Sequence, residues 1–248
     1  LPLDQADEMD ILEANGSVNF GSNKAYRAML KKIKAGSPAT NPDDLQYILD
    51  NVDVDNLFEY MALEMFVGNS DIGNIRYYRL HQEGSKWKWI WYDADYGLYS
   101  SKFNSPWSYL KVKGMGEQKI DNTIFLKLLE HPDYKRKFLE KLADVYKTFT
   151  TEYMTQVLDG VVAEIQPEMK NHWERWGELN DKAVTSEVPT TIDGAYTYWE
   201  SRVNRLYNTL KVRPHRLWDF IKDEFKLTKT EMEELFGPQP DYPDDAVL

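Results

Sequence analysis

Residues 68–97, GNSDIGNIRYYRLHQEGSKWKWIWYDADYG, decide how this chain is read. They follow an apolar segment, Leu57 to Val67, in which Phe58, Met61, Ala62, Leu63, Met65 and Phe66 leave little polar face. Such a segment predicts a helix at the centre of a domain, capped by Asp53 or Asp55. The rhythm then changes. Ile75 to His81 and Lys86 to Tyr92 alternate in character, are rich in Tyr, Trp and Ile, and flank Gln82-Glu83-Gly84-Ser85. That is the pattern of a β-hairpin.

Placing His81 opposite Lys86 across the turn sets Asn74 opposite Asp93. Opposed residues on adjacent strands stand about 4.5–5.5 Å apart. On this register Asp71, Asn74 and Asp93, with Asp95 beside them, converge at the open end of one hairpin. A slip of one residue exchanges Asp93 for a neighbour without separating the two clusters. Acidic groups and an amide crowded together repel unless a cation sits among them, and hard oxygen ligands suit magnesium or manganese. Nucleotide phosphates added to such a metal supply what phosphoryl transfer needs, positioning and charge neutralisation. Singly, Asp71 and Asn74 are ordinary turn residues, and Asp93 with Asp95 could be a solvated strand end. Their joint placement after a fully apolar helix is what favours a site.

Around this centre the chain reads as mostly helical, an α+β fold with one small hairpin. Met9 to Glu13 (MDILE) predicts a strand or extended linker. Helices are expected over Asn23–Lys34, from Asn41-Pro42 onward, and over Asn122–Leu129 and Tyr134–Phe149. Further helices are expected over Glu152–Trp176 (broken at Pro167), Tyr196–Leu210, Leu217–Phe225 and Lys229–Phe236. Residues 100–118 read as a long loop, and 237–248 as a disordered, acidic, Pro-rich tail. Gly16 to Gly21 (GSVNFG) lacks the Lys-Ser/Thr of a phosphate loop and reads as a turn. Asp50 to Asp55 lacks the Gly and terminal Glu of a calcium loop. Trp173 and Trp176, at helical spacing, read as core, and Lys135-Arg136-Lys137 as a solvated face. The four His are scattered and carry no assigned role.

Composition narrows the function classes. A net charge of −11 over 248 residues argues against nucleic acid, whose phosphates need clustered Lys and Arg. No apolar run is long enough to span a membrane. The absence of cysteine excludes disulfides and thiolate zinc sites. The start at Leu1-Pro2-Leu3 gives the expectation of a piece cut from a longer protein, with any signal peptide upstream.

The order of a buried helix, an Asp-x-x-Asn loop, a hairpin and a second Asp is that of a protein-kinase C-terminal lobe. There one Asp accepts the substrate hydroxyl proton, while Asn and a later Asp, often followed by an aromatic and Gly, bind metal. Asp95-Tyr96-Gly97 has that last form. Two departures stand out: Asn follows Asp71 by three residues and not five, and no His-Arg precedes it.

The sequence resembles the CotH kinase family, named after spore-coat protein H. The likeness rests on Asp53-Val-Asp-Asn-Leu-Phe-Glu-Tyr60 leading to Gly68-Asn-Ser-Asp-x-x-Asn74. It continues in Trp87-Lys-Trp-Ile-Trp-Tyr-Asp-Ala-Asp95, similar to the family's W-x-W-x-x-x-D-x-D stretch. Phe125-x-x-Leu-Leu-x-x-Pro-x-Tyr-x-x-x-Phe138, the Pro167 to Trp176 region and Arg213-Pro214 extend it to about Phe236.

The resemblance implies an ATP- and magnesium-dependent (or manganese-dependent) kinase that phosphorylates Ser or Thr in a surface or secreted protein, placed outside the cell or on the spore or cell surface. It implies Asp71 as catalytic base, Asn74 as a metal ligand, and Asp93 or Asp95 as the principal magnesium ligand. It also implies Met9 to Glu13, with Asp10, Leu12 and Glu13, as the hinge beside the adenine. Residues 1–236 would then be hinge and C-lobe, with an N-lobe upstream. Two rivals remain. One is a non-catalytic scaffold that kept the kinase shape. The other is a carbohydrate-active protein using paired carboxylates and exposed Trp.

Overall fold

The computed structural model describes residues 8–111, 120–180, 189 and 191–243. The chain divides into two compact units, Leu1–Thr148 with Leu217–Gln239, and Phe149–Arg216 with Pro240–Leu248.

In the first unit four strands form one antiparallel sheet in the order β2-β1-β3-β4: β1 Met9–Glu13, β2 Ser17–Phe20, β3 Arg76–Leu80 and β4 Lys88–Ile90. The expected hairpin is β3 and β4, but its register differs from the one counted from the turn. Tyr78 pairs with Lys88, Tyr77 with Trp89 and Arg76 with Ile90. Extending that pairing puts Tyr92, not Asp93, opposite Asn74. The turn absorbs one residue more than the count from His81 and Lys86 assumed, because Trp87 leaves the ladder. Its N–H donates to Asn51 O at 2.8 Å and its carbonyl accepts the Asp53 N–H at 3.0 Å.

The segment from Gly16 to Gly21, expected as a turn, contains β2. Its residues are all exposed, so no burial pattern marks the strand, and pairing with β1 defines it. Gly21, at φ +74°, ends it tightly. A Cβ there would lie 2.5 Å from Asp10 Oδ1 and 2.6 Å from Met9 O.

The helices of this unit are α1 Lys24–Ala35, α2 Pro42–Asn51, α3 Val54–Val67, α4 Ser105–Lys111, α5 Thr123–Leu129 and α6 Pro132–Thr148. Asn41 Oδ1 accepts the Asp43 N–H to start α2, with Pro42 in its first turn. For α3 the cap is Asp53, whose carboxylate accepts the Asn56 N–H at 3.1 Å. As expected, α3 is central: Leu57, Phe58, Met61, Ala62, Met65 and Phe66 are all buried. Against it packs α6, where Phe138 meets Phe58 at 5.4 Å and Phe125 at 4.8 Å between ring centroids, edge to face. Part of the expected loop over 100–118 is α4. Asn104 accepts the Trp107 N–H at 3.0 Å, a start signal that the Ser and Pro composition had masked; residues 112–119 lie outside the described residues.

The helix α9, Ile192–Phe225, was expected as two, parted before Leu217. Its final turns, with Leu217, Trp218, Ile221 and Phe225 buried, belong to the first unit. So does α10, Lys229–Phe236, which opens on a capping box between Thr228 and Glu231.

In the second unit, α7 Thr151–Ile165, a 3-10 turn over Gln166–Glu168 and α8 Met169–Asn180 realise the break expected at Pro167. Thr151 with Leu210, Asp159 with Tyr207, Gln166 with Tyr196 and Lys170 with Asp193 are bonded pairs. The chain therefore runs up α7 and α8 and back along α9. Contrary to its reading as core, Trp176 is 43% exposed. Arg213 is buried, and burial pulls its guanidinium from the usual 12.5 down to about 9. Of the expected tail, Pro240 O lies 2.7 Å from His215 Nδ1, and residues 244–248 lie outside the described residues.

Pro214 sits inside α9 without ending it. Lacking an N–H, it leaves the carbonyl four residues back, that of Leu210, without its helical donor. The Thr151 hydroxyl donates to that carbonyl at 3.1 Å, and Leu210 is buried. Thr151→Val is therefore expected to cost this unit about 1–2 kcal/mol in chemical denaturation. In a Pro214→Ala background the helix supplies its own donor, and the same change should cost little. Equal costs in both backgrounds would refute this account of how the helix continues through proline.

Candidate active site

The site forms where α3 ends and the hairpin opens. Gly68 caps α3 in the left-handed conformation, and both its N–H and that of Asn69 return to the Glu64 carbonyl, at 3.0 and 3.2 Å. The following loop alternates. Asn69, Ser70 and Ile72 are buried, while Asp71 between them is half-exposed. The buried Asn69 side chain accepts the Asp71 N–H at 3.1 Å, and the Asn74 N–H closes the turn on Asp71 O at 3.1 Å. The loop thus holds Asp71 by its backbone. Its carboxylate has no hydrogen bond or ion pair among the described residues.

From the other side come Tyr92 and Asp93. Tyr92 OH donates to Asn74 Oδ1 at 2.5 Å, and Asn74 Nδ2 donates to Asp93 Oδ2. The one-residue register shift thus leaves Asn74 and Asp93 together, with Tyr92 added. Asp93 has φ +52°, a left-handed backbone that Asp tolerates better than most residues, and this turn aims its carboxylate back at Asn74. Beyond it Asp95 is exposed and bonded to none of the other candidates. The chain then closes tightly on α3: Gly97 N–H donates to Ala94 O and Leu98 N–H to Val67 O. A Cβ on Gly97 would stand 2.8 Å from Ala94 O and 3.0 Å from Val67 Cγ2.

The hinge candidates occupy different environments. Asp10 is 3% exposed; it accepts the Ser22 N–H at 2.7 Å and lies 3.0 Å from His81 Nε2. Leu12 is fully buried. The strand that carries them pairs on both edges, with β2 and with β3. Glu13 alone of the three reaches solvent, and it joins the site through Arg76. Arg76 Nη2 donates to Glu13 Oε1 at 3.3 Å, and its guanidinium lies 4.8 Å from the centre of the Tyr92 ring.

Among the described residues, no group of three or more His, Cys, Asp or Glu side chains gathers to hold a metal. The expected convergence of three carboxylates is therefore reduced to the Asn74–Asp93 pair with Asp71 on the adjoining loop. That pair still fits magnesium, which keeps several waters and binds through one or two carboxylates together with substrate phosphates.

Two residues that spacing did not single out support the site from below. Asn56, on α3, donates to Trp89 O at 3.2 Å and accepts the Trp89 N–H at 2.6 Å. Its side-chain amide stands in for a neighbouring strand along β4. Glu64, 1% exposed, accepts the Tyr109 hydroxyl at 2.7 Å. The available signal was a charged residue on the buried face of an apolar helix. Burial raises the Glu64 pKa above its ordinary 4.5, and the nearby Asp71 charge adds to this. The Tyr109 hydroxyl, the Asn69 amide and the Trp91 indole offset part of the shift.

Tyr60 also lies within electrostatic reach of Glu64. A raised folded-state pKa means that the folded chain holds this proton more tightly than the unfolded one. Burying Glu64 thus costs nothing below the ordinary pKa and lowers stability as pH climbs beyond it. Glu64→Gln is expected to be more stable than the parent near neutral pH, with the gap closing below about pH 4.5. Unfolding midpoints measured from acid to neutral pH check this, and a gap independent of pH would place its origin in packing.

No curated protein and no solved structure gives a significant match to the chain. The family model described as CotH kinase protein matches residues 4–217. That span contains the Asp71 loop, the Asn74–Asp93 pair and the strand carrying Glu13. The chain belongs to the CotH kinase family.

Proposed function

We propose that this chain carries the acceptor- and metal-facing part of a kinase site, which transfers the γ-phosphoryl group of ATP to a Ser or Thr hydroxyl. The observation that carries the reading is the junction of Asn74 with Asp93 beside a loop that presents the carboxylate of Asp71, unpaired among the described residues. Family membership supports the same reading.

In this reading Asp71 takes the proton from the acceptor hydroxyl. The hydroxyl oxygen forms a bond to the γ-phosphorus as the bond from phosphorus to the bridging oxygen of ADP breaks. Asp93 and Asn74 would hold magnesium, with Asp95 as a further oxygen donor. Bound there, the metal would neutralise phosphate charge. Tyr92, donating to Asn74 Oδ1, fixes which way that amide faces. Arg76, bound to Glu13 and lying over Tyr92, ties the β1 side of the site to the metal side. Asp10 and Leu12 serve the nucleotide side as the buried frame that holds Glu13. The acceptor would be a protein outside the cell or on its surface.

Nucleotide turnover by the full-length protein with magnesium tests this. Asp71→Asn is expected to lower phosphate transfer by at least about a hundredfold while leaving nucleotide binding intact. Asp93→Asn should weaken magnesium-dependent nucleotide binding itself. Undiminished transfer in the Asp71 variant would remove it from the role of base. A full-length protein that neither binds nor turns over nucleotide would favour the scaffold reading.

A further inference from the structure

We infer that α7 presents a docking face for an amphipathic helix whose apolar stripe is bordered by Lys or Arg. The inference concerns the second unit alone and is independent of the kinase reading.

Two rows of side chains run along α7, Thr151–Ile165. Thr151, Met154, Thr155, Leu158 and Val162 are half-buried and recur at helical spacing, the pattern of a face resting on a neighbour. That neighbour is α9: the Thr151 hydroxyl donates to the Leu210 carbonyl, and Asp159 on the flank accepts the Tyr207 hydroxyl at 2.6 Å. The second row is Tyr153, Val157, Val161 and Ile165, one residue in every four. These side chains are 41–48% exposed, although they stand where a helix packed on a single neighbour turns polar residues to water. Val and Ile suit such positions badly. Their branched Cβ lowers helix propensity, and in the free chain they bury little in return. One exposed apolar residue needs no explanation, but a continuous row of four on one helix marks an interaction surface.

Gly160 is a second, separate indication. It borders the row, three residues after Val157, in mid-helix, where only Pro is a poorer choice. A Cβ there would meet nothing within 4 Å, and its φ is not positive. Neither crowding nor backbone conformation within this chain calls for glycine. Bare backbone on an exposed helix face does allow a second helix to approach closely. The row itself, stepping by four residues, is a ridge of the kind that fits the groove of another helix.

Charge decides what kind of helix fits. Along its length α7 carries Glu152, Asp159 and Glu164 and no Lys or Arg. Glu152 and Glu164 are exposed and have no hydrogen bond or ion pair among the described residues. An apolar row with this border is complementary to one bordered by Lys and Arg. Two copies of α7 laid symmetrically together would set the same carboxylates against each other. An anionic membrane surface fits no better, because helices that lie on one carry Lys and Arg beside their apolar face.

Calorimetric titration of the full-length protein tests this, first with a helical peptide of about 20 residues whose Leu and Ala stripe is bordered by Lys. The same peptide with Glu for Lys, and vesicles of anionic lipid, are the comparisons. The Lys peptide should bind, the Glu peptide should bind at least about tenfold more weakly, and the gap should shrink as salt is raised. Vesicles should not bind. Val157→Ser with Val161→Ser should weaken the Lys peptide at least about tenfold through lost apolar burial. Both positions are exposed in the free chain, so far-UV circular dichroism should stay at its parental value.

Gly160→Leu should raise the thermal midpoint, since Leu favours a helix, and yet weaken the Lys peptide by a similar factor. A glycine without an interface role would give the first effect and not the second. No binding of the Lys peptide, equal affinity for the Glu peptide, affinity unchanged in either variant, or binding of vesicles in its place would overturn the inference. So would self-association of the parent that Val157→Ser with Val161→Ser abolishes.

Discussion

The side-chain amide of Asn56 bonds to both backbone groups of Trp89, and the arrangement of the site depends on this contact. The strand β4 is short, and one of its edges pairs with β3. Along the other, Asn56 supplies the donor and the acceptor that a neighbouring strand would provide. Because Asn56 stands in the first turn of α3, the hairpin is fixed to the start of that helix, while Gly68 and Asn69 hold the loop to its end. Asn74 and Asp93 meet because both segments leading to them are anchored to one rigid helix. Asp53 strengthens the same corner, capping α3 and pairing with Lys88 at 3.3 Å.

Electrostatics at the site follow from what each carboxylate has for company. Asp71 has no bonded partner among the described residues and keeps some exposure. Asp93 is exposed and bonded to an amide, a group that neither neutralises nor repels it. Glu64 is buried, and burial raises its pKa above the ordinary carboxylate value. Three acidic residues within a short stretch of structure thus have three different chemical characters, and the surroundings set each one. On a chain with net charge −11, repulsion among them is the default, and the loop keeps them at separate positions.

The second unit shows the same accounting of backbone groups in a different setting. Proline in a helix removes one donor, and a helix ends there when nothing replaces it. In α9 a hydroxyl from α7 replaces it, so the break expected from sequence does not occur. At Pro167, where the chain is exposed, the helix does give way to a 3-10 turn. The two prolines differ in their neighbours, which periodicity cannot reveal.

The sequence by itself determined the helical character of the chain, the central place of α3, the hairpin and the two clusters that meet at its open end. These follow from local spacing, since an apolar helix must be buried and a hairpin must bring its ends together. The family was legible for the same reason, its motifs being short and contiguous. Tertiary structure alone decided the register, because the bonds of Trp87 to Asn51 and Asp53 lie far from the turn in sequence. It alone turned β1 into an inner strand and buried Asp10 and Leu12, since β2 has no burial pattern of its own. It also made Glu64 a partner of Tyr109, 45 residues away, where two exposed or two buried side chains would have looked alike in the sequence. Spacing reports which residues share an element; the partner that completes a hydrogen bond between elements is fixed only when the elements pack.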